Sequence, residues 1–518
     1  MEPRTKSSIL TPHKLSLPVL YFTLIPEAAF TQLDLDTTMK AMPLLIASHN
    51  DNTPINSVHF DPHDKGRLAT AGSDNNVRLW RVEFTDEECK VTYLSTLIKH
   101  TQAVNVVRFC PKGGVICWHL LEMMVMYCFG YPRNSRPSQV WGKTADDKET
   151  WLVKHMCRSS GAKIYDLAWS PDGVFLITGS MDNIARICNA QTGQIIRQIA
   201  EHSHYVQGVA WDPLNEFVAT QSSDRSVHIY NLKMKDGQFT LTPSLSLPAV
   251  KPLDISCTFG VRNADIYANE TFTSFFRHLT FAPDGSLLFT AAGQYKSTQP
   301  SISDPTGMID DMTDTVYIYT RAGFNKPPVA HLPLKKPSVA VKCSPIFYAL
   351  RQAPKPTSHI ILDTSSVGET FTPVVPTSNS AAVEPPSLSA SSDSSNALNF
   401  PRAIENEGSN IAQGSAFALP YRIVYAVAIQ DTVIISDTQQ QTPLCVVSNL
   451  HFAAFTDLSW SNDGLMLIVS SSDGFCSTLS FSPGELGQPY VAAVSAISPS
   501  TITYPTSPAK SSHSATSS

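Results

Sequence analysis

The chain repeats itself. Residues 165–173 (YDLAWSPDG) and 206–214 (VQGVAWDPL) are each an alternating run closed by a turn, and further apolar runs follow at 175–178 and 217–220. Then come Ser180-Met181-Asp182 and Ser222-Ser223-Asp224, each leading into a third run. Trp169 and Trp211 stand 42 residues apart, and so do Asp182 and Asp224. A period of about 40–45 residues with several short strands in each unit is the spacing of propeller blades. Such a unit cannot bury both its faces alone and must stack on its neighbours.

The same pattern recurs at 55–62 (INSVHFDP), which closes on Gly72-Ser73-Asp74 and Trp80, and at 100–111 (HTQAVNVVRFCP). It returns at 277–285 (RHLTFAPDG), 340–345 (AVKCSP) and 456–464 (TDLSWSNDG), the last followed by Ser472-Asp473-Gly474. These units predict an all-β fold, a seven-bladed WD40 β-propeller over 39–487, closed so that no blade leaves an open edge. The run 42–47 (MPLLIA) is expected to join the three strands of the last unit, about 456–481, and complete its blade. Residues 1–38 then have no place in the ring; they read as a non-propeller leader, with Met39 the expected start. The apolar stretch 15–30 follows basic residues as a signal peptide would, but Pro18, Pro26 and Glu27 interrupt it.

In a WD unit the Asp of the turn before the third strand accepts hydrogen bonds from an upstream His. His49 with Asp74, His202 with Asp224 and, more loosely, His155 with Asp182 fit that role as buried turn-holders, and Asp473 takes the same place in the last unit. Trp80 closes its unit, where Cys188 and Tyr230 stand in for it later.

Two regions break the pattern. Residues 115–130 (VICWHLLEMMVMYCFG) carry no Gly-Ser-Asp turn and cluster Met and Cys. Reverse-translated and read two bases later, this run permits LASAGDDGNVLLW, the missing strands of a WD unit. Residues 115–145 are therefore expected to reflect a frame error, leaving the second unit short of strands and poorly packed. Within the sixth unit, 352–418 is predicted to be a disordered insertion, because stretches such as 372–397 are Ser, Pro, Ala and Thr with little to bury. The strand at 421–428 (YRIVYAVA) marks the return. Residues 243–268 read as a connecting loop, and 488–518 as a disordered Ser/Thr/Pro-rich tail. Ser498 and Ser507 each precede a proline there and are candidate phosphorylation sites.

A net charge of −6 gives no global basic field, so DNA would have to be met through a partner or a local patch. Ten cysteines with no Cys-x-x-Cys pair read as a reduced intracellular chain without a structural metal. Phosphate loops, nucleophile elbows and zinc-protease motifs are absent from the sequence, so no cofactor and no catalytic or metal residue is expected. No apolar run is long enough to cross a bilayer, and no membrane partner is expected. Function should then lie in loops, where Tyr165, Tyr205, Phe275, Phe276 and Arg277 are candidate partner-binding residues. For Phe275 and Phe276 the alternative is packing between blades.

Specific phrases go further than the repeat. The runs 67–80 (RLATAGSDNNVRLW), 100–109 (HTQAVNVVRF), 205–213 (YVQGVAWDP), 274–279 (SFFRHL) and 437–440 (DTQQ) resemble the middle (B) subunits of chromatin assembly factor 1, fungal members in particular. The resemblance covers about 39–487 apart from the insertion and the anomalous segment. It implies a nuclear scaffold without enzymatic activity, held with the large and small subunits of a histone chaperone. That complex deposits histones H3 and H4 on DNA during replication and repair; contact with histones could be indirect, and DNA would be met only through the complex. The tail lacks the Arg-rich motif by which some relatives dock a second histone chaperone. Other readings are the WD subunit of a replication-independent histone-deposition complex and a substrate receptor of a ubiquitin ligase. A propeller-borne enzyme would need a metal or carboxylate cluster in the central channel.

Overall fold

The computed structural model describes residues 40–44, 49, 53–84, 89–98, 102–113, 115–119, 124–130, 147–149, 151–158, 162–235, 238–247, 266–272, 274–300, 308–361 and 417–491. The leader, 131–146, 362–416, Ser498 and Ser507 lie outside these residues.

The described residues form an all-β propeller of six regular four-stranded sheets and one of five strands. In chain order, the innermost strands of the first four sheets are Ile55–Phe60, Val106–Phe109, Ile164–Trp169 and Val206–Trp211. Those of the last three are Thr280–Phe281, Ser338–Tyr348 and Phe455–Trp460. Each innermost strand or its own sheet packs on the next one, and the last packs on the first. Apolar clusters fill the spaces between neighbours. One joins Ala69, Val77 and Leu79 to Val107, Phe109 and Ile116, and another joins Met466, Ile468 and Cys476 to Ile55, Val58 and Trp80.

Turn chemistry explains why each strand stops where it does. After the innermost strands the chain reverses at Gly173, Gly285 and Gly464, all at positive φ, and at Asn215 in the fourth sheet. Asp172, Asp284 and Asp463 cap these turns by accepting the backbone N–H of Val174, Ser286 and Leu465. Closure follows the expectation: Lys40–Leu44 pairs antiparallel with Cys476–Ser480, so the start of the described chain completes its last sheet.

Three expectations need correction. The second sheet does not lack its strands: Val115–His119, Met124–Gly130 and Trp151–Arg158 continue an antiparallel sheet from Val106–Phe109. A ladder is built from backbone groups, and a run rich in Val, Ile, Tyr, Phe and Trp suits it without the WD turn. The stretch expected as a loop from 243 is a strand as far as Leu247, because Gln238–Leu247 pairs with Val227–Lys235. The third correction is the sheet of five strands, which stands where a four-stranded unit was expected. Ser358–Ile361, assigned to the insertion, adds to its outer edge, parallel to Cys445–Ser448. The motif Asp437–Gln440 holds it there. The Gln439 amide accepts from Arg351 N at 2.9 Å and donates to Arg351 O at 2.7 Å. Gln440 does the same at Lys355, at 2.9 and 3.0 Å. Asp437 meanwhile pairs with Arg351 and with buried Arg422.

The innermost strands also stitch the ring. Immediately ahead of a core pair of the form Val/Leu-x-Phe/Trp stand Ser57, Asp166, His278 and Asp457 in their respective sheets. Asp457 accepts from Val58 N and from the Ser57 hydroxyl, Ser57 Oγ accepts from Val107 N, and Asp166 accepts from Val209 N. Ser459 and His59 do the same for Phe60 N and Phe109 N. The last, first and third sheets thus satisfy backbone donors of the sheet that follows each, which would otherwise be buried without partners. The charges here compensate one another: Arg108 bonds Asp457 at 2.7 Å and lies 3.7 Å from Asp166, and His278 is 3.1 Å from Asp166. Burial opposes ionisation of Asp457, but Arg108, His278, Lys342 and Ser57 outweigh it and hold the carboxyl well below its usual range.

Replacing Asp457 by Ala leaves the Arg108 guanidinium buried against no carboxylate but Asp166, and should lower unfolding stability by about 3–5 kcal/mol. Ser459→Ala, which removes one neutral acceptor, should cost about 1 kcal/mol. Urea unfolding of the two variants beside the wild type tests the ordering; equal losses would mean that the ion pair does not hold the ring.

Candidate functional site

In every sheet the segment before the innermost strand and the turn between the second and third strands lie at the same end of the ring, since neighbouring strands run antiparallel. The predicted site residues gather at this end. Their turns are built around the expected Asp. Asp74, Asp182, Asp224 and Asp473 each accept the backbone N–H two residues on, and the residue between sits at positive φ. A carboxylate one bond from Cβ reaches that N–H without straining the chain.

The first sheet has the full relay. Trp80 Nε1 donates to Thr70 Oγ1 at 3.0 Å, Thr70 lies 2.9 Å from His49 Nε2, and His49 Nδ1 is 2.9 Å from Asp74. This environment suits a neutral His49, whose Nδ1 also has the Arg78 guanidinium 2.6 Å away. Burial pushes the His49 pKa down in keeping with that assignment. Asp74 is opposed by its own burial, yet His49, Arg78 and Asn76 hold it below the usual carboxylate range. The fourth sheet repeats the arrangement with His202, Asp224 and Thr220 at 2.9 and 2.8 Å, while Tyr230, in the Trp place, turns its hydroxyl to His228 and Glu201.

The other two turns differ. Asp182 is bound by Arg186 at 2.6 Å; His155 falls in Trp151–Arg158, its backbone opposite Tyr127, and its side chain lies outside the described residues. Asp473 takes His451 at 3.0 Å, a histidine the sequence reading missed. The signal was there: His451 precedes Asp473 by 22 residues, the spacing of His202 and Asp224. Val469 occupies the Thr place there, so this relay stops at the histidine. Thr70 and Thr220, and the axial Arg108, Asp166, His278 and Asp457, were missed as well. Apolar alternation marks a strand's buried face but says nothing of polar groups that face other strands.

Of the five candidate contact residues only Phe275 is exposed; Tyr205 is half-buried, and Tyr165, at 5%, is buried beneath them, which corrects its assignment as a contact residue. Phe275 is 66% exposed and stacks on Tyr165, with ring centroids 6.3 Å apart and planes within 4°. Tyr205 leans on the same Tyr165 at 6.2 Å, with His204 against it at 4.2 Å. Phe276 and Arg277, by contrast, are 6% and 0% exposed. Their assignment as contact residues is corrected. Phe276 packs on His278. Arg277 donates to the carbonyls of Ala268 and Asn269 and lies over Phe272, so it straps 266–272 to the ring. A guanidinium so bonded is a clamp and has no donor directed outward. Gly208 fits beneath it because any Cβ there would strike Arg277 O.

The chemistry of this end is that of holding. Among the described residues no group of three or more His, Cys, Asp or Glu could ligate a metal ion. The paired His and Asp side chains spend their lone pairs and protons on turns.

Acid should weaken the fold in two stages. His228 is pushed down to about 4, first by burial and then by His202. Between pH ~6.5 and ~4 the unfolded chain therefore takes up a proton that the folded one refuses, and stability falls as pH falls. Below about pH 4 the depressed Asp74, Asp224 and Asp457 add their own losses with the same sign. Thermal melts from pH 8 to 3 should show a continuous decline, and His228→Asn should flatten its upper part; an unchanged slope in that variant would exclude His228 as its source. Thr70→Val, which strands His49 Nε2 and Trp80 Nε1, should cost about 1–3 kcal/mol in urea unfolding at neutral pH.

Comparison with known proteins places this arrangement. The model of the CAF1B/HIR1 beta-propeller domain matches residues 39–486. The chain is 34% identical to the B subunit of chromatin assembly factor 1 from Schizosaccharomyces pombe, over 87% of this chain and 89% of that one. It is 33% identical to the Gallus gallus protein of the same name, covering 87% and 69%, and 32% identical to that of Saccharomyces cerevisiae, covering 85% and 86%.

Proposed function

Since the chain belongs to the CAF1B/HIR1 β-propeller family, we propose that it is the WD-repeat scaffold subunit of a chromatin assembly factor 1 complex, acting in the nucleus. The observation that carries this reading is the likeness to the fission yeast B subunit along 89% of that protein. In this reading the five-stranded sheet counts as a blade, and the closed ring has seven. The protein is not an enzyme and takes no cofactor. It binds the large and small subunits and helps the complex deposit histones H3 and H4 at replication forks and repair sites, with DNA met only through the complex. Phe275, with half-buried Tyr205 beside it, is the contact residue of choice, and Ser498 and Ser507 are sites where phosphorylation would add charge.

A rigid ring suits such work because its loops are held by the buried turns and cost little ordering entropy when a partner docks. The second reading, a subunit of a HIR1-type deposition complex, is favoured by the family model itself, which spans both groups.

The protein tagged at its own locus and purified from replicating nuclei should bring down a large subunit, a second WD protein and histones H3 and H4. Recovery of a replication-independent deposition complex would replace the first reading by the second. Ligase components without histones would overturn both.

A further inference from the structure

The axis of the ring changes character along its length. Ser57, Asp166, His278 and Asp457 form one level, and all four are buried. Two residues further along the innermost strands, toward the end opposite Phe275, a second level meets solvent. His59, Thr280 and Lys342 are partly exposed there although each lies on an innermost strand. Contacts between sheets fix these levels. Phe60 N donates to Ser459 and Phe109 N to His59, one step beyond the bonds that Asp457 and Ser57 accept. The bridge between His278 and Ala340 likewise sets Thr280 level with Lys342.

The second level carries cations and no carboxylate. Arg108 of the second sheet and Lys342 of the sixth are its charges; Ser459 and Thr280 are neutral, and Ala168 and Ala210 add only methyl groups. Three donors there lack acceptors among the described residues. Lys342 Nζ makes no hydrogen bond and no ion pair. Arg108 Nη2 is buried without a hydrogen-bond partner, with Asp166 3.7 Å away. His59 Nδ1 accepts from Phe109 N at 3.1 Å, which leaves the proton of the neutral ring on an unpartnered Nε2. Burial, then Arg108 and Lys342, push the His59 pKa down to about 3, so the ring is neutral and both cations lie within its electrostatic reach.

The acids of the first level do not answer these donors. Asp457 accepts from Leu458 N, Val58 N, Ser57 and Arg108. Asp166 accepts from Leu167 N and Val209 N, with His278 at 3.1 Å. Both attract Lys342 from the level above without touching it. A cation set among strands with no acceptor in contact is costly to hold, and an anion beside it would relieve that cost.

We propose that the second level of the axis is a binding site for a tetrahedral oxyanion, phosphate or sulfate, held by Lys342 together with Arg108 and His59. The sixth, seventh, first and second sheets follow one another round the ring, so the three donors come from one side of the axis. A tetrahedral anion has an oxygen for each of them, whereas a carboxylate has only two. The site stands apart from the scaffold reading, which neither outcome of its test touches.

The test is equilibrium dialysis of the full chain against radiolabelled inorganic phosphate, in Tris at constant ionic strength. One phosphate per chain should be taken up, displaced by sulfate, weakly by acetate and not by chloride. Lys342→Met, close to lysine in volume but uncharged, should weaken uptake about tenfold, the loss expected of one charge-assisted hydrogen bond. Lys65→Met, at a lysine whose side chain is 86% exposed on the outer surface, should leave it unchanged. Phosphate should also raise the Tm of the wild type more than that of Lys342→Met, which separates site binding from the stabilisation that excluded salts give any fold. Absence of saturable uptake overturns the proposal and would mean that water alone answers these donors. Uptake that Lys342→Met leaves unchanged overturns it as well, since the ion would then sit elsewhere. Circular dichroism shows whether Lys342→Met folds; where it does not, Lys342→Gln replaces it, and the sulfate and chloride competitions on the wild type decide without either variant.

Discussion

The ion pair of Arg108 and Asp457 joins the second sheet to the last, 349 residues apart in the chain, and both side chains are buried. Such a pair is stable only if nearly every donor and acceptor around it is satisfied. Around it Ser57, Asp166, His278 and Lys342 gather at the axis, and Asp457 and Asp166 also accept backbone N–H groups of neighbouring sheets. A propeller has little else to hold its sheets in register at the centre. The apolar clusters between sheets favour closeness, and the polar stitches decide which residue meets which.

From that centre outward, rigidity is passed to one end of the ring. The innermost strands begin there, and three of the turns beside them are fixed by His–Asp contacts and a fourth by Arg186 with Asp182. With the frame fixed, Phe275 can remain exposed without loosening anything beneath it, because Tyr165 carries both it and half-buried Tyr205. The division is economical in kind. Residues at the start of the innermost strands face the axis and hold the ring, while Phe275, a little before His278, is left exposed. Arg277 shows how thin the line is, since it lies between exposed Phe275 and axial His278 and serves the structure.

Much of this was legible beforehand because the repeat is local. The turn Asp residues, His49 and His202 could be placed by spacing, and so could the strand that closes the ring, since a 42-residue period leaves each element one position to occupy. The family was legible in whole phrases such as 67–80 and 205–213. What failed was local too, where the pattern was interrupted. The strands of the second sheet and the fifth strand at Ser358–Ile361 carry no repeat signature, and only backbone pairing with a neighbour defines them.

The sequence alone thus determined the fold class, the place of the turns and the kinship, because each depends on residue types at fixed short spacing. It could not determine that Asp457 meets Arg108, that Gln439 and Gln440 hold a strand, or that Phe275 is exposed while Phe276 and Arg277 are not. Those depend on which strands become neighbours when the ring closes. Closure brings together residues hundreds of positions apart, and only the tertiary structure decides which of their polar and aromatic groups remain for solvent and partners.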